Sequence, residues 1–299
     1  GTEETLIDSQ WRIAEVLEQA YSPELKPADT YVALLEGVAG CGKTYTALHN
    51  FVYGDLYISA NKQPAVAFRE ALAQLLQVNV DTLKGSAMTI DSYLINHRTP
   101  ATRLWVDEAM MLQPGMIEWL LYFSQAHVAY LMGDSKQIPF IPRYKVEVTN
   151  TQYTFADIVK KYQVTRRSPA DVISVFRDTY DTEYSTMNRR LTSLSYKQIT
   201  SHVQIPDDFD AYICLSQEDK KKLLPLYGDK VHTVHECQGE TYRRVCVFRL
   251  KVQNIALFES QPHILVALTR HTEVCTYYTT NIVDPIVDRI KSAQRDLAQ

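Results

Sequence analysis

Three short stretches in the first half of the chain gather residue types that handle phosphate. GVAGCGKT, residues 37–44, fits the pattern GxxxxGK[ST] in full. Its glycines, Gly37, Gly40 and Gly42, let the backbone curl so that its N–H groups point inward. With the start of a following helix, those groups would cradle a polyphosphate. Lys43 would reach the β- and γ-phosphates, and Thr44 would offer a hydroxyl to Mg²⁺. LWVDEAM, residues 104–110, ends an apolar run in Asp107 and Glu108. Asp107 would serve Mg²⁺ as an outer-shell or a direct partner, and Glu108 would orient and deprotonate an attacking water. YLMGDSKQIPF, residues 130–140, places Gln137 where it would meet either the γ-phosphate or that water, with Asp134 and Lys136 bracing the loop. The bland alternatives are a chance glycine-rich turn, an ordinary acidic pair at a strand end and an exposed turn. The chemistry implied by all three together is Mg²⁺-assisted hydrolysis of a nucleoside triphosphate.

Such residues need strand ends to hold them. YVALLEG is a short apolar run that leads into the glycine loop. From there TALHNFVYG, PAVAFREALAQLL and MIEWLLYFSQ read as helices, and DLYISA, TRLWVDEAM and HVAYLMGD as strands. This alternation predicts a mostly parallel sheet covered on both faces, with ligands at the strands' C-terminal edge. The expected organisation is α/β: an N-terminal helical segment at 1–25, a first domain at 26–160 and a second at 161–299. In the second, ADVISVFRDTY and the tail VDPIVDRIKSAQRDLAQ read as helical and AYICLSQEDKKKLLPL as strand then helix. HILVALTRHTEVCTYYTT reads as two apolar runs joined by a polar turn TRHTE, and residues 181–206 as an exposed excursion. HECQGETY, residues 235–242, packs chemically loaded side chains immediately before an apolar strand, where Gly239 would allow a close backbone approach.

Composition limits the classes. The 299 residues are 45% hydrophobic, enough for two cores. A net charge of −4 argues against a tail-driven nucleic-acid binder but leaves room for a local basic groove. Five scattered cysteines without a CxxC pair point to a reducing compartment. No run of about 18 apolar residues is present to span a membrane, and no signal peptide is evident.

GVAGCGKT, the ISANKQ region, TIDSYL, LWVDEAMML, MGDSKQIPF, TRRSPADV, LSQEDK, TVHECQGETY and VALTRHT together carry a family resemblance. The chain resembles the superfamily 1 helicase domain of replication proteins from alphavirus-like positive-strand RNA viruses, with plant viruses of the tobamovirus and bromovirus type the nearest likeness. The resemblance implies two RecA-like domains with ATP and Mg²⁺ between them and RNA running across both. It also implies NTP hydrolysis coupled to RNA unwinding or translocation, and RNA 5′-triphosphatase activity at the same site. Residue by residue, it makes Arg167 and Arg270 the arginines that meet the γ-phosphate, with Ser168 standing where the family has Cys. Gly239 and Glu240 match the fifth motif, Glu240 accepting from a ribose hydroxyl. Thr233 and His235 fall where the family approaches RNA. Further RNA candidates by position or type are Ser59, Asn61, Lys62, Thr89 and Arg143, with Tyr144 as a stacking ring. Implied partners are RNA, methyltransferase and polymerase domains of the replicase, and host factors. The implied place is the host cytoplasm, at membranes only through other regions. A nucleotide-switched RNA- or protein-interaction module with weak or no unwinding is the alternative.

Overall fold

The apolar runs assemble into two parallel sheets, each inside its own unit. A computed structural model describes residues 8–21, 30–38, 40–134, 136, 157–180 and 183–298. These fall into two compact units. One is drawn from Gly1–Gly37, Lys43–Ser135 and Pro139–Lys161, the other from Val38–Gly42, Lys136–Ile138 and Tyr162–Gln299.

The first unit contains α1 (Asp8–Ala20), β1 (Tyr31–Gly37), α2 (Lys43–Asn50), β2 (Asp55–Ser59), α3 (Lys62–Leu76), β3 (Ala87–Thr89), α4 (Ile90–Ser92), β4 (Arg103–Val106), α5 (Pro114–Ser124), β5 (Val128–Gly133) and β6 (Asp157–Tyr162). Its sheet runs β3-β2-β4-β5-β1-β6, with parallel pairing from β3 across to β1. Strands covered on both faces need continuous rather than alternating apolarity, and all five residues of β2 are buried. Helix α3 turns Ala65, Phe68 and Leu72 inward at helical spacing. In α5, Gln113 accepts from the Met116 N–H at 3.1 Å and Pro114 takes the first turn, where its missing N–H costs nothing. Because the strands are parallel, Gly37, Ser59, Val106 and Gly133 all end at one edge of the sheet.

The second unit contains β7 (Val164–Thr165), α6 (Ala170–Val175), β8 (Ser185–Thr186), β9 (Leu194–Gln198), β10 (Ala211–Cys214), α7 (Gln217–Tyr227), β11 (Val231–Thr233), β12 (Tyr242–Arg249), α8 (Gln261–Leu268), β13 (His271–Thr279) and α9 (Pro285–Ala298). Its main sheet is parallel throughout, ordered β11-β10-β12-β13-β9. Helix α9 packs Ile286, Val287, Ile290 and Ala293 into the core. Two sequence expectations change here. Within 181–206, Leu194–Gln198 is an edge strand paired with β13, not part of an exposed excursion. Its burial is almost confined to Leu194, so it carries little apolar signal. The polar turn TRHTE is a turn only at Thr269 and Arg270: these and His271 are fully buried, and His271 opens β13, so the rest of the stretch is strand.

All five cysteines are free and buried. Among the described residues, no helix is long and apolar enough to cross a membrane.

The second core also holds a buried ion pair, Arg249 Nη1 to Asp284 Oδ2 at 2.8 Å, with both side chains 1% exposed. Asp284 also accepts from Tyr277 Oη at 2.6 Å and caps α9 through the Ile286 N–H at 2.7 Å. Removing one partner leaves an uncompensated buried charge. Asp284→Ala is therefore expected to lose about 3–5 kcal/mol in urea denaturation. Glu218→Ala, which breaks the exposed pair with Lys251, should leave the denaturation midpoint almost unchanged.

Candidate active site

In the first unit the chemistry centres on Asp107, 5% exposed, immediately after β4. Its backbone N–H donates to Ile58 O at 2.8 Å, which holds it at the sheet edge beside β2. Oδ1 accepts from the Glu108 N–H at 2.9 Å. Oδ2 accepts from Thr44 Oγ1 at 3.1 Å and from the Tyr57 hydroxyl. Burial, then the neighbouring Asp107 charge, pushes the Tyr57 phenol well above its ordinary range, so it stays a donor. Lys43, the first residue of α2, is 8% exposed, and its ammonium donates to Gly37 O at 3.0 Å. In the glycine loop that precedes Lys43, whose residues Val38–Gly42 cluster with the second unit, Gly40 and Gly42 adopt φ of +72° and +88°, which glycine reaches without steric cost.

The Thr44 hydroxyl and Asp107 carboxylate are hard oxygen donors. Mg²⁺ is usually held by one or two such protein groups, with water and substrate phosphate completing its shell. Among the described residues no group of three or more His, Cys, Asp or Glu is gathered to hold a metal. The donor set thus fits a cation shared with phosphate, not a closed protein cage.

Glu108 stands next to this carboxylate at φ 46° and ψ 46°, a left-handed conformation that costs a non-glycine residue about 1–3 kcal/mol. Met111 N–H donates to Glu108 O at 2.9 Å, closing a tight turn. Of the other first-unit candidates, Asn61 and Lys62 are exposed at the start of α3. Ser59 is buried and donates to Asn61 O at 2.5 Å. Thr89 caps α4, accepting from the Ser92 N–H at 3.1 Å. Gln137, Arg143 and Tyr144 lie outside the described residues.

The second unit brings Arg167 and Arg270 together at Thr269. Arg167 Nη1 donates to Thr269 O at 2.8 Å, and Arg270 Nη2 to Thr269 Oγ1 at 3.0 Å. Arg270 is fully buried and also donates to Val266 O at 3.0 Å and Glu240 O at 3.3 Å. It therefore braces the loop that carries Gly239, whose φ is +88°, and Glu240. Arg167 is half-buried. Gly40 belongs to this unit, its carbonyl accepting from the Arg166 N–H at 2.9 Å, and a Cβ at Gly40 would come within 2.7 Å of the Arg167 Cβ. Thr233 is buried and His235 half-buried.

Sequence reasoning passed over three side chains. Tyr57 reads as one more apolar strand residue. Glu236 accepts from the Thr233 N–H and hydroxyl at 3.1 and 3.0 Å and from Lys220 at 2.8 Å. Partial burial works to raise its carboxyl, but the Lys220 and Thr233 hydrogen bonds prevail and hold it below the ordinary value. The Thr-x-x-Glu spacing, a capping-box pattern, was the available signal. The third is His271. Asp171 accepts from Ser193 Oγ at 2.7 Å, and His271 Nε2 lies 2.8 Å from the same oxygen. The Ser193 proton goes to Asp171, so Nε2 must be the donor and Nδ1 a buried acceptor without a hydrogen-bond partner.

Burial, then the Arg167 and Arg270 charges, depresses His271 to about 3. Above pH ~6.5 the imidazole is neutral folded and unfolded, and it adds no pH dependence. Between ~6.5 and ~3 only the unfolded chain takes the proton, so stability falls as pH falls, by about 1.4 kcal/mol per unit. Urea denaturation from pH 8 to pH 5 should show no His271 contribution above pH ~6.5 and this slope developing below it, and His271→Gln should flatten that lower part.

The family described as the viral superfamily 1 RNA helicase core domain matches residues 33–279. The chain is 35% identical over 290 residues to the replicase large subunit of Turnip vein-clearing virus, covering 92% of this chain and 18% of that one. It is 34% identical over 280 residues to that of Tomato mosaic virus (strain S-1), covering 88% and 17%. It thus spans less than a fifth of these relatives' length. In fold it is similar to an arterivirus nonstructural protein 10 helicase solved with DNA, at TM-score 0.61 and 16% identity over 88% of this chain and 63% of that one. With the match running from β1 to the end of β13, the chain belongs to the viral superfamily 1 RNA helicases.

Proposed function

We propose that the chain is an RNA helicase motor that binds ATP with Mg²⁺ and couples its hydrolysis to movement along RNA or unwinding of it during viral genome replication. One observation carries the reading: Lys43, Thr44 and Asp107 are gathered at one sheet edge, with the Thr44 hydroxyl 3.1 Å from the Asp107 carboxylate. Lys43 and the glycine loop would bind the β- and γ-phosphates. Thr44 and Asp107 would hold Mg²⁺, which when bound neutralises charge on those phosphates. Glu108 would orient the water and take its proton. Gln137 would contact the same water or phosphate, and Glu240 the ribose. Asn61, Lys62, Ser59, Thr89, Arg143, Thr233 and His235 would serve the RNA. Removal of the RNA 5′ γ-phosphate would use the same phosphate cradle. Other replicase domains, and host factors in the cytoplasm, are the proposed partners.

The two arginines are given different parts. Arg270 spends donors on Val266, Glu240 and Thr269, which favours a bracing role. Arg167, half-buried, is the one assigned to charge developing on the phosphate, a task for which a charged planar fork is suited.

ATP turnover with and without single-stranded RNA, run beside strand displacement on 3′- and 5′-tailed duplexes, tests the reading. Glu108→Gln should lower kcat by about 10²–10⁴-fold and leave ATP affinity within a few fold. Lys43→Ala should lower both ATP hydrolysis and γ-phosphate release from 5′-triphosphorylated RNA. A full-rate RNA triphosphatase in that variant would require a second site. Arg167→Ala should cut turnover while sparing ADP affinity. Arg270→Ala should appear first as lost stability, about 2 kcal/mol or more, because buried acceptors lose their donors.

A further inference from the structure

We propose that Tyr57 is a positioning residue, whose hydroxyl fixes the Asp107 carboxylate onto Thr44 before metal and nucleotide arrive and so sets the metal preference of the site. The inference rests on the nucleotide reading above.

An ionised carboxylate offers about four acceptor positions. On Asp107, Oδ1 takes the Glu108 N–H. Oδ2 takes the protons of both Thr44 and Tyr57. Oδ2, the oxygen that faces Thr44, is thereby filled, and a cation seated on it would have to displace one of them; among the described residues the one open position is on Oδ1, the oxygen that takes the Glu108 N–H. Thr44, having given its proton to Asp107, keeps its own oxygen lone pairs for a cation. For a cation on the Thr44 oxygen, the nearer carboxylate oxygen is the filled Oδ2, so the arrangement favours direct contact with Thr44 and contact with Asp107 through bound water. Mg²⁺ dehydrates reluctantly and keeps several waters, whereas Ca²⁺ takes more oxygen ligands in looser geometry.

Tyr57 is well built to hold this position. It is fully buried on β2, in register with Trp105 on β4, two residues before Asp107. Its ring stacks on Phe68 of α3 at 4.0 Å between centroids and 5° between planes. Phe68 is in turn packed edge-on by Phe51 at 5.2 Å. The hydroxyl has little freedom to leave Asp107. A buried tyrosine hydroxyl also needs some acceptor for purely structural reasons, and the experiment must separate that role from positioning.

Tyr57→Phe keeps the ring stack and removes only the hydroxyl. Parent and variant, as the full 299-residue chain, would be compared by calorimetric ADP binding in EDTA and across titrations of Mg²⁺ and of Ca²⁺, with thermal unfolding alongside. The expected result is unchanged ADP affinity in EDTA and about 10–100-fold more Mg²⁺ needed for the metal-dependent gain in affinity, the usual effect of removing a partner that orients a metal-binding group. The preference for Mg²⁺ over Ca²⁺ should narrow, because Oδ2 then has room to bind a cation directly. A parental Mg²⁺ requirement in the variant, or equal loss of ADP affinity with and without metal, overturns the proposal. If the parent itself binds ADP without any Mg²⁺ dependence, the nucleotide reading falls as well. A normal parent with an unchanged variant sinks this inference alone.

Discussion

A carboxylate taken out of water must be given its hydrogen bonds by the protein, and Asp107 depends on that constraint. Its donors come from the start of α2, the middle of β2 and its own neighbour Glu108. The α2 and β2 donors lie 63 and 50 positions before Asp107 in sequence. Only a parallel sheet that ends β2 and β4 at the same edge brings them together. An isolated buried carboxylate would shift its charge away or cost several kcal/mol. Three donors meet its oxygens where the proposed cation and polyphosphate would bind. The stacking of Tyr57 on Phe68 extends this demand into the core, because the packing of α3 also determines where an acceptor oxygen points.

The second unit solves the inverse problem. Its buried cation, Arg270, is met by backbone carbonyls and a hydroxyl, with no carboxylate among the hydrogen bonds it makes to Val266, Glu240 and Thr269. Guanidinium has five N–H donors in a rigid plane, so it can tie the end of α8 to the loop before β12 in one step. Arg249 uses the other solution, a carboxylate partner together with the Phe258 ring at 4.1 Å. Among the described residues Arg249 is paired with a carboxylate, whereas the hydrogen-bond partners of Arg270 are neutral, and Arg167 and His271 lie close by. Burial first, and then the Arg167 and Arg270 charges, keep the imidazole unprotonated.

Much of this was legible in sequence for reasons that can be named. Strands buried on both faces, such as DLYIS, appear as unbroken apolar runs, and the glycine loop follows one of them. The elements that were misread carry weak or contrary local signals. LSYKQ is an edge strand with one well-buried residue, so it looks like loop. TRHTE looks polar because its burial is supported by tertiary hydrogen bonds that a local pattern does not encode. Tyr57 was missed because its hydroxyl matters only through pairing with a strand some 50 positions away. The roles of Thr44, Asp107 and Glu108 rested on motif spacing, while the filling of Asp107 Oδ2 needed coordinates.

The strained backbone at Glu108 belongs to the same network. A left-handed glutamate persists only where its surroundings over-determine it. On one side its N–H is held by Asp107 Oδ1, and on the other its carbonyl is held by Met111. Ala109, fully buried, and Leu112, 4% exposed, anchor the turn that follows. Relaxing Glu108 would release the Asp107 bond and pull an apolar anchor from the core, losses comparable with the strain itself. The direction of the candidate base is thus tied to the carboxylate that would serve the metal, so that moving one disturbs the other.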